Sequence, residues 1–427
     1  MGGSRAVARL LATALVAAVV ALTGAGAALA GNPRPTVDPS APTPTSPYPG
    51  RPPQGEAPDG STVGGKRLGT RGLVVADHAP PLPSGIIAPT WLVADARTGA
   101  VLAARDPHGR FYPASTLKTL TLLTVLPRLD PAQVVVGTTE DEHMEGTRVG
   151  IVAGGRYPVQ LLYEALMLAS GNDAANALAR AAGGVPRTVA AMNDTAESLG
   201  AFDTVAGTPS GLDVAGQSTS VYDLALIFRA LLALPRAAGV LRTPTAQIPP
   251  VPGRFPGYQI QNKNPLLSRY PGNLGAKNGF THAARHGFVT AAERGGRRLV
   301  VSILGSEAAP LAAPDQAARL LDWAFSVPAD TDGVGHLVDP AEAAARAAPP
   351  SSAEHDDGTA TPTPAAAAAV AGDVDDEVAT GPPMIPVVLG ALAVVVAGAT
   401  VLGRRRAVRW SPAAPPRSTD GSPPPPP

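Results

Sequence analysis

At 427 residues, 44% hydrophobic, the chain has enough apolar material for one large core, and its 34 basic and 34 acidic side chains cancel. That balance, with no basic block apart from a short arginine run near residue 404, excludes a nucleic-acid footprint. The absence of cysteine excludes disulfides and thiolate chemistry, so stability must come from the core.

The first thirty residues read as an export signal peptide. Arg5 and Arg9 precede an apolar run from Leu10 to Leu22, and Ala28-Leu29-Ala30 has the small-residue pattern of a cleavage site. Residues 31–67 follow as a Pro-rich disordered linker, because prolines interleaved with Thr, Ser and Gly neither pair as a sheet nor bury a core. Residues 329–383, rich in alanine, proline and acid, read as a second linker. The run 384–403 carries no charge and is long enough for a transmembrane helix. Arg404, Arg405, Arg406 and Arg409 come directly after it and assign the Pro-rich tail, 404–427, to the cytoplasm. The expectation is a single-pass cell-membrane protein with one extracytoplasmic domain at 68–328.

Within that domain Thr90–Asp95 and Ala100–Ala104 flank a turn at 96–99 and predict a hairpin. Pro113 then opens a helix over 114–126, where Leu117, Leu120, Leu123 and Leu126 recur at a helical period. Further helices are predicted at 159–168, at 173–182, and at 221–234 behind a Ser220/Asp223 capping-box spacing. A second hairpin joins 287–290 to 299–304 around 293–296, and an amphipathic helix at 315–325 closes the domain. Strands at both ends with helices between them imply an α/β domain of the α+β kind: an antiparallel sheet assembled from both chain ends, with helices packed on it and a helical lobe inserted.

Three short stretches carry chemistry. Ser115 and Lys118 stand three residues apart at a helix start, where they share a face beside unpaired N–H groups. Lysine occurs in this chain only at Lys66, Lys118, Lys263 and Lys277. An arginine stays protonated, whereas a desolvated lysine can act as a general base, so a lysine kept beside a serine suggests a nucleophile and its base. The second stretch, Ser170-Gly171-Asn172, breaks a helical pattern and leaves a serine and an asparagine on a turn. In the third, Lys277 lies on a strand whose Gly275 permits close approach of another backbone. Taken singly, these also suit an ordinary helix start, a helix cap and a solvated strand lysine.

Together and in this order, they resemble the Ser-x-x-Lys, Ser-x-Asn and Lys-Thr-Gly set of penicillin-binding proteins and serine β-lactamases. With Arg156-Tyr157-Pro158, Pro209-Ser210-Gly211-Leu212-Asp213 and Gln261-Asn262-Lys263-Asn264-Pro265, residues 85–326 resemble the low-molecular-mass D-alanyl-D-alanine carboxypeptidases, serine peptidases of the S11 kind, and among these the membrane-anchored actinobacterial members. The resemblance implies a β-lactamase/transpeptidase-like fold, peptidoglycan stem peptides as substrate in cell-wall remodelling, β-lactam antibiotics as inhibitors, and no cofactor. It implies Ser115 as nucleophile, Lys118 as proton acceptor and Ser170 as relay to the leaving amine. Asn172, Lys277, Asn278, Gly279, Phe280 and Thr281 would bind substrate, with the N–H groups of Ser115 and Phe280 as oxyanion hole.

One position departs from the family pattern, since Asn278 stands where Lys-Thr-Gly has threonine. A displaced amide in place of a hydroxyl predicts a slower enzyme. A β-lactamase of class A also needs a glutamate to activate the deacylating water, and 201–214 has none. The alternatives are a D,D-endopeptidase or transpeptidase on the same substrate, or a catalytically weak or inactive membrane-tethered cell-wall binding protein. An α/β-hydrolase fails for lack of Gly-x-Ser-x-Gly. His282 and His286 are four apart but follow a strand without an acid or cysteine on a helix, so no metal site is expected there.

Overall fold

The computed structural model describes residues 55–347. A short strand β1 (Leu73–Val75) precedes the hairpin of β2 (Thr90–Asp95) and β3 (Ala100–Arg105). A 3-10 turn, Ala114–Leu117, then runs directly into α1 (Lys118–Val125). The helical lobe continues through β4 (Val134–Val136), the single-turn α2 (Thr139–Glu142), β5 (Arg156–Pro158), α3 (Val159–Leu168) and α4 (Asn172–Ala181). It ends with α5 (Val185–Ser198), α6 (Val221–Leu232) and α7 (Pro235–Arg242). A small ribbon, β6 (Thr245–Ile248) with β7 (Tyr258–Gln261), and the turn helix α8 (Leu266–Arg269) lead back to the sheet. The chain then forms β8 (Asn273–Thr281), β9 (Arg285–Arg294), β10 (Arg297–Ser306), α9 (Ala313–Ser326), β11 (Gly335–His336) and α10 (Pro340–Ala347).

The strands from both ends of the chain make one antiparallel sheet in the order β1-β3-β2-β10-β9-β8, with β11 beside β3. Because strand side chains alternate, a strand covered on both faces is apolar throughout, and β2 is buried at every position. Trp91 and Val93 pack with Ala317, Leu320 and Leu321 of α9, whereas Leu92 and Ala94 pack with Leu224 and Phe228 of α6. Each fully buried aliphatic side chain contributes about 1.5–3 kcal/mol, so the two layers fix the register of β2 against β10, Val93 opposite Val301.

The predicted hairpins, helices and sheet class are present, with local differences. The 114–126 segment is 3-10 before it becomes α-helical, and α4 begins at Asn172 rather than after it. The Ser220 hydroxyl accepts the Asp223 N–H, but the Asp223 carboxylate accepts from Thr204 at 2.7 Å instead of closing a box. The complete capping box lies elsewhere, at Thr138 and Asp141.

The packed unit extends beyond 68–328 at both ends. Ala57 and Val63 are buried, as are Val334, Leu337 and Val338. The His336 N–H bonds to Gly64 O, and the Tyr222 hydroxyl to His336 O at 2.8 Å. Apolar side chains at these positions outweigh the proline content that suggested linkers. The predicted signal peptide, the linkers up to 54 and from 348, the charge-free run 384–403 and the tail lie outside the described residues. Among the described residues no single helix is long and apolar enough to cross a membrane.

Candidate active site

Ser115 sits on the 3-10 turn behind Ala114, whose φ of +46° is unusual for a residue with a Cβ. Against it packs Gly211, where only a glycine fits, since a Cβ on that residue would fall 1.9 Å from Ala114 O. The Pro209–Gly211 segment is thus seated directly on the nucleophile turn.

Lys118, one helical turn on, has no exposed surface and three partners: Ser115 Oγ at 3.0 Å, Asn172 Oδ1 at 2.7 Å and Ser210 O at 2.7 Å. Burial, and after it the Lys277 charge, holds its ammonium well below the usual lysine range, against a smaller upward pull from Asp173. A free amine beside Ser115 Oγ can take the hydroxyl proton. This is the nucleophile and base geometry that hydrolytic acyl transfer requires.

The second half of the site comes from the α3–α4 turn and β8. Ser170, at φ +65°, presents its hydroxyl to Lys277 Nζ at 3.1 Å, and the same ammonium donates to Asn278 O at 2.6 Å. Lys277 is buried, which with the neighbouring Lys263 charge brings it down to about 7. It therefore passes between acid and base near neutrality, as a proton relay through Ser170 needs. Asn172 is the first residue of α4; its Oδ1 faces Lys118 and its Nδ2 donates to Glu145 O at 2.7 Å.

On β8, Gly279 has a steric reason to be glycine, because a Cβ there would lie 2.8 Å from Ser115 N and 2.9 Å from Thr116 N. The sheet edge is pressed against the turn that carries Ser115. The Asn278 side chain has no hydrogen-bond partner among the described residues, and only its carbonyl is engaged, by Lys277. Thr281 Oγ1 donates to Asp213 Oδ1 at 2.9 Å. Phe280 is 45% exposed, with His286 stacked at 4.6 Å, His282 at 5.7 Å and Arg285 at 5.8 Å over its ring. The two histidines thus face an aromatic ring, and Arg285 is held by Glu307 at 2.5–2.9 Å.

The nine residues singled out from sequence lie where β8 packs on the Ser115 turn and on the α3–α4 turn. Ser115, Lys118 and Asn172 form one hydrogen-bonded group, Ser170 and Lys277 another, while Asn278, Gly279, Phe280 and Thr281 follow on the strand between them. Not foreseen were Ser210 O, Glu145 O, Asp173 and Asp213. The first two are backbone carbonyls and leave no trace in side-chain chemistry. Asp213 stood in the quoted Pro-Ser-Gly-Leu-Asp run and could have been found there.

A family model described as D-alanyl-D-alanine carboxypeptidase matches residues 75–308. The D-alanyl-D-alanine carboxypeptidase DacB2 of Mycobacterium tuberculosis is 46% identical over 252 residues, covering 58% of this chain and 85% of the relative. For DacF of Bacillus subtilis the identity is 29% over 242 residues, and the match spans 54% of this chain but only 60% of that one. Among solved structures, a D-alanyl-D-alanine carboxypeptidase from M. tuberculosis H37Rv is similar with a TM-score of 0.59 at 42% identity, over 62% of this chain and all of the other. The Streptomyces K15 DD-transpeptidase follows at 0.54 and 26%, over 58% and 100%.

Proposed function

The chain belongs to the D-alanyl-D-alanine carboxypeptidase family, and on that premise we propose that it is a serine D,D-carboxypeptidase that removes the terminal D-alanine of peptidoglycan stem peptides through an acyl-enzyme on Ser115. The observation that carries this reading is the Lys118 ammonium nitrogen, buried and bonded to both Ser115 Oγ and Asn172 Oδ1.

In this reading Lys118 as free amine takes the Ser115 proton while Oγ attacks the carbonyl of the penultimate D-alanine. The Ser115 and Phe280 N–H groups receive the developing oxyanion, and one such donor is worth about 2.7–4 kcal/mol of barrier. As the tetrahedral species collapses, the C–N bond breaks and Ser170, fed by Lys277, delivers a proton to the leaving D-alanine amine. Asn172 holds the substrate amide. Lys277 and Asn278 meet the terminal carboxylate, the place where Asn278 makes the fit looser than threonine would. The proton that Lys118 took from Ser115 is lost to solvent, from which Lys277 regains its own, so that Lys118 is again a free amine. Water then attacks the ester carbonyl, and Lys118 takes the water's proton and hands it to Ser115 Oγ as the ester C–O bond breaks. A β-lactam would acylate the same oxygen and act as an inhibitor.

The chain is exported and anchored by residues 384–403 with its catalytic domain outside the cell; the support is the uncharged run, the arginines after it and the N-terminal signal pattern. Protease digestion of intact cells tests this, since a domain that resists until the membrane is opened would refute it. The activity is tested by intact mass after incubation with a labelled penicillin. One adduct, lost in Ser115→Ala, is expected, and its absence in the unmodified protein would overturn the assignment.

A further inference from the structure

We propose that Asp173 is a positioning residue for the reaction: its buried carboxylate pins the 145–151 loop so that the Asn172 amide presents its oxygen, and not its nitrogen, to Lys118. The proposal rests on the catalytic reading above and adds a residue to it.

The reasoning begins with the ambiguity of an amide. Asn172 has an acceptor and a donor of nearly equal shape, and only its surroundings decide which faces the lysine. Here Nδ2 is engaged by Glu145 O at 2.7 Å, which leaves Oδ1 for Lys118 at 2.7 Å. The Asn172 N–H in turn donates to Thr147 O at 2.7 Å. Two carbonyls of one loop therefore set the orientation of the side chain that touches the base.

That loop cannot hold itself in place, because residues 145–148 are all exposed. Its order begins at the next three residues, whose backbone N–H groups all converge on one carboxylate. Val149 donates at 2.8 Å, Gly150 at 2.8 Å and Ile151 at 3.0 Å to Asp173 Oδ2, while Ala174 at the start of α4 donates to Oδ1 at 2.9 Å. Three successive N–H groups around an anion make a nest, and the α4 N-terminus adds its favourable end. The same face of α4 holds the loop further back, where Asn176 and Arg180 both grip Asp141. Asp173 is the part of this strip adjacent to the catalytic amide, and it touches neither Ser115 nor Lys118. Its charge also pulls the Lys118 ammonium up directly. Its positioning effect travels through Glu145 O, and Gly146→Ala, which keeps that charge, separates the two.

Gly146 gives an independent handle on the same contact. It adopts φ +80°, and a Cβ there would sit 2.8 Å from Asn172 Nδ2, so Gly146→Ala strains a left-handed backbone and pushes the buried Asn172 amide without removing the Asp173 carboxylate.

The test uses the full chain with two variants, Asp173→Asn and Gly146→Ala, in stopped-flow acylation by a fluorescent penicillin and steady-state release of D-alanine from a D-alanyl-D-alanine peptide. Thermal unfolding establishes that each variant is folded. Misplacing a catalytic contact by about 1 Å costs on the order of a hundredfold. Both variants are expected to lose about that factor in acylation rate and kcat, with peptide KM changed less than about threefold. Wild-type acylation in a folded Asp173→Asn protein overturns the proposal, as does a loss confined to KM, which would make the loop a substrate contact. If Asp173→Asn does not fold, Gly146→Ala decides by the same criteria. Failure of the unmodified enzyme to acylate would instead remove the catalytic reading, and this inference with it.

Discussion

Replacing Gly279 by alanine tests how the sheet edge and the nucleophile turn are fitted together. The added methyl would meet Ser115 N at 2.8 Å, Thr116 N at 2.9 Å and Ala114 Cβ at 3.1 Å, all inside ordinary contact distance. Three neighbours on one tight turn cannot all step aside, so β8 must withdraw by about 0.5–1 Å to restore contact near 3.5 Å. That movement separates the Ser115 and Phe280 N–H groups, and an error of this size at the reacting centre costs on the order of ten- to a hundredfold, or about 1.4–2.7 kcal/mol of barrier. The clash lies at the cleft and leaves both core layers intact, so unfolding temperature should change little. Gly295→Ala is the matched control, since that glycine sits at φ +57° with nothing within 4 Å of a new Cβ. It should lose some stability through left-handed strain and keep its activity. Acylation by a fluorescent penicillin measures both. A Gly279→Ala enzyme with wild-type acylation would refute the reasoning.

The remaining predictions concern pH, the substrate carboxylate and the chain ends. Acylation needs Lys118 as amine and Lys277 as ammonium, so its rate should rise with pH through the depressed Lys118 titration and fall near 7 as Lys277 is deprotonated. Lys277→Arg should carry the falling limb to much higher pH, and a wild-type profile flat from about pH 6 to 9 would contradict the scheme. Folding stability should rise over the same alkaline window: with Lys277 at about 7 when folded against 10.5 ordinarily, the unfolded chain binds more protons between those values, as urea titrations at several pH values would reveal. Asn278→Thr should raise kcat/KM toward stem-peptide substrates, by up to about a hundredfold if the amide is displaced by a full ångström, and no gain would end that idea. A chain cut to 68–328 should melt at a lower temperature than one spanning 55–347, because it sheds Val63, Leu337 and Val338, each worth about 1.5–3 kcal/mol of burial.

Much of the site was readable because its side chains have chemistry that is scarce in this chain. In an arginine-rich sequence Lys118 and Lys277 stand out; Ser115 lies three residues before the first, and Ser170, 107 residues before the second, is marked by the break it makes in a helical pattern. The sheet was readable from β2 and β10, whose apolar runs are long enough to declare themselves. Helix α5 was not, since it buries only Thr188, Met192 and Ala196 at four-residue spacing, a stripe too thin to stand out against its polar neighbours. Proline between 31 and 67 masked the buried Ala57 and Val63, whose neighbours Asp59 and Gly64 bond to Arg346 and His336 at the far end of the described residues. The role of Ser210 as a carbonyl acceptor for Lys118 depends on where the backbone of a loop travels, and no residue type encodes that.

The two ends of the described residues meet each other: Asp59 N–H bonds to Arg346 O, and β1 and β11 lie along the same outer side of β3. The catalytic strand β8 is the opposite margin of the sheet, five strand spacings or about 24 Å from β1. The domain is therefore permutable. A short bridge could join 55 to 347 and new termini could be opened at the Gly295-Gly296 hairpin without cutting any segment that lines the cleft. For the same reason the enzyme could be fixed to a bead or a sensor surface through either end, or both together, with its cleft on the far edge of the sheet and free to meet substrate.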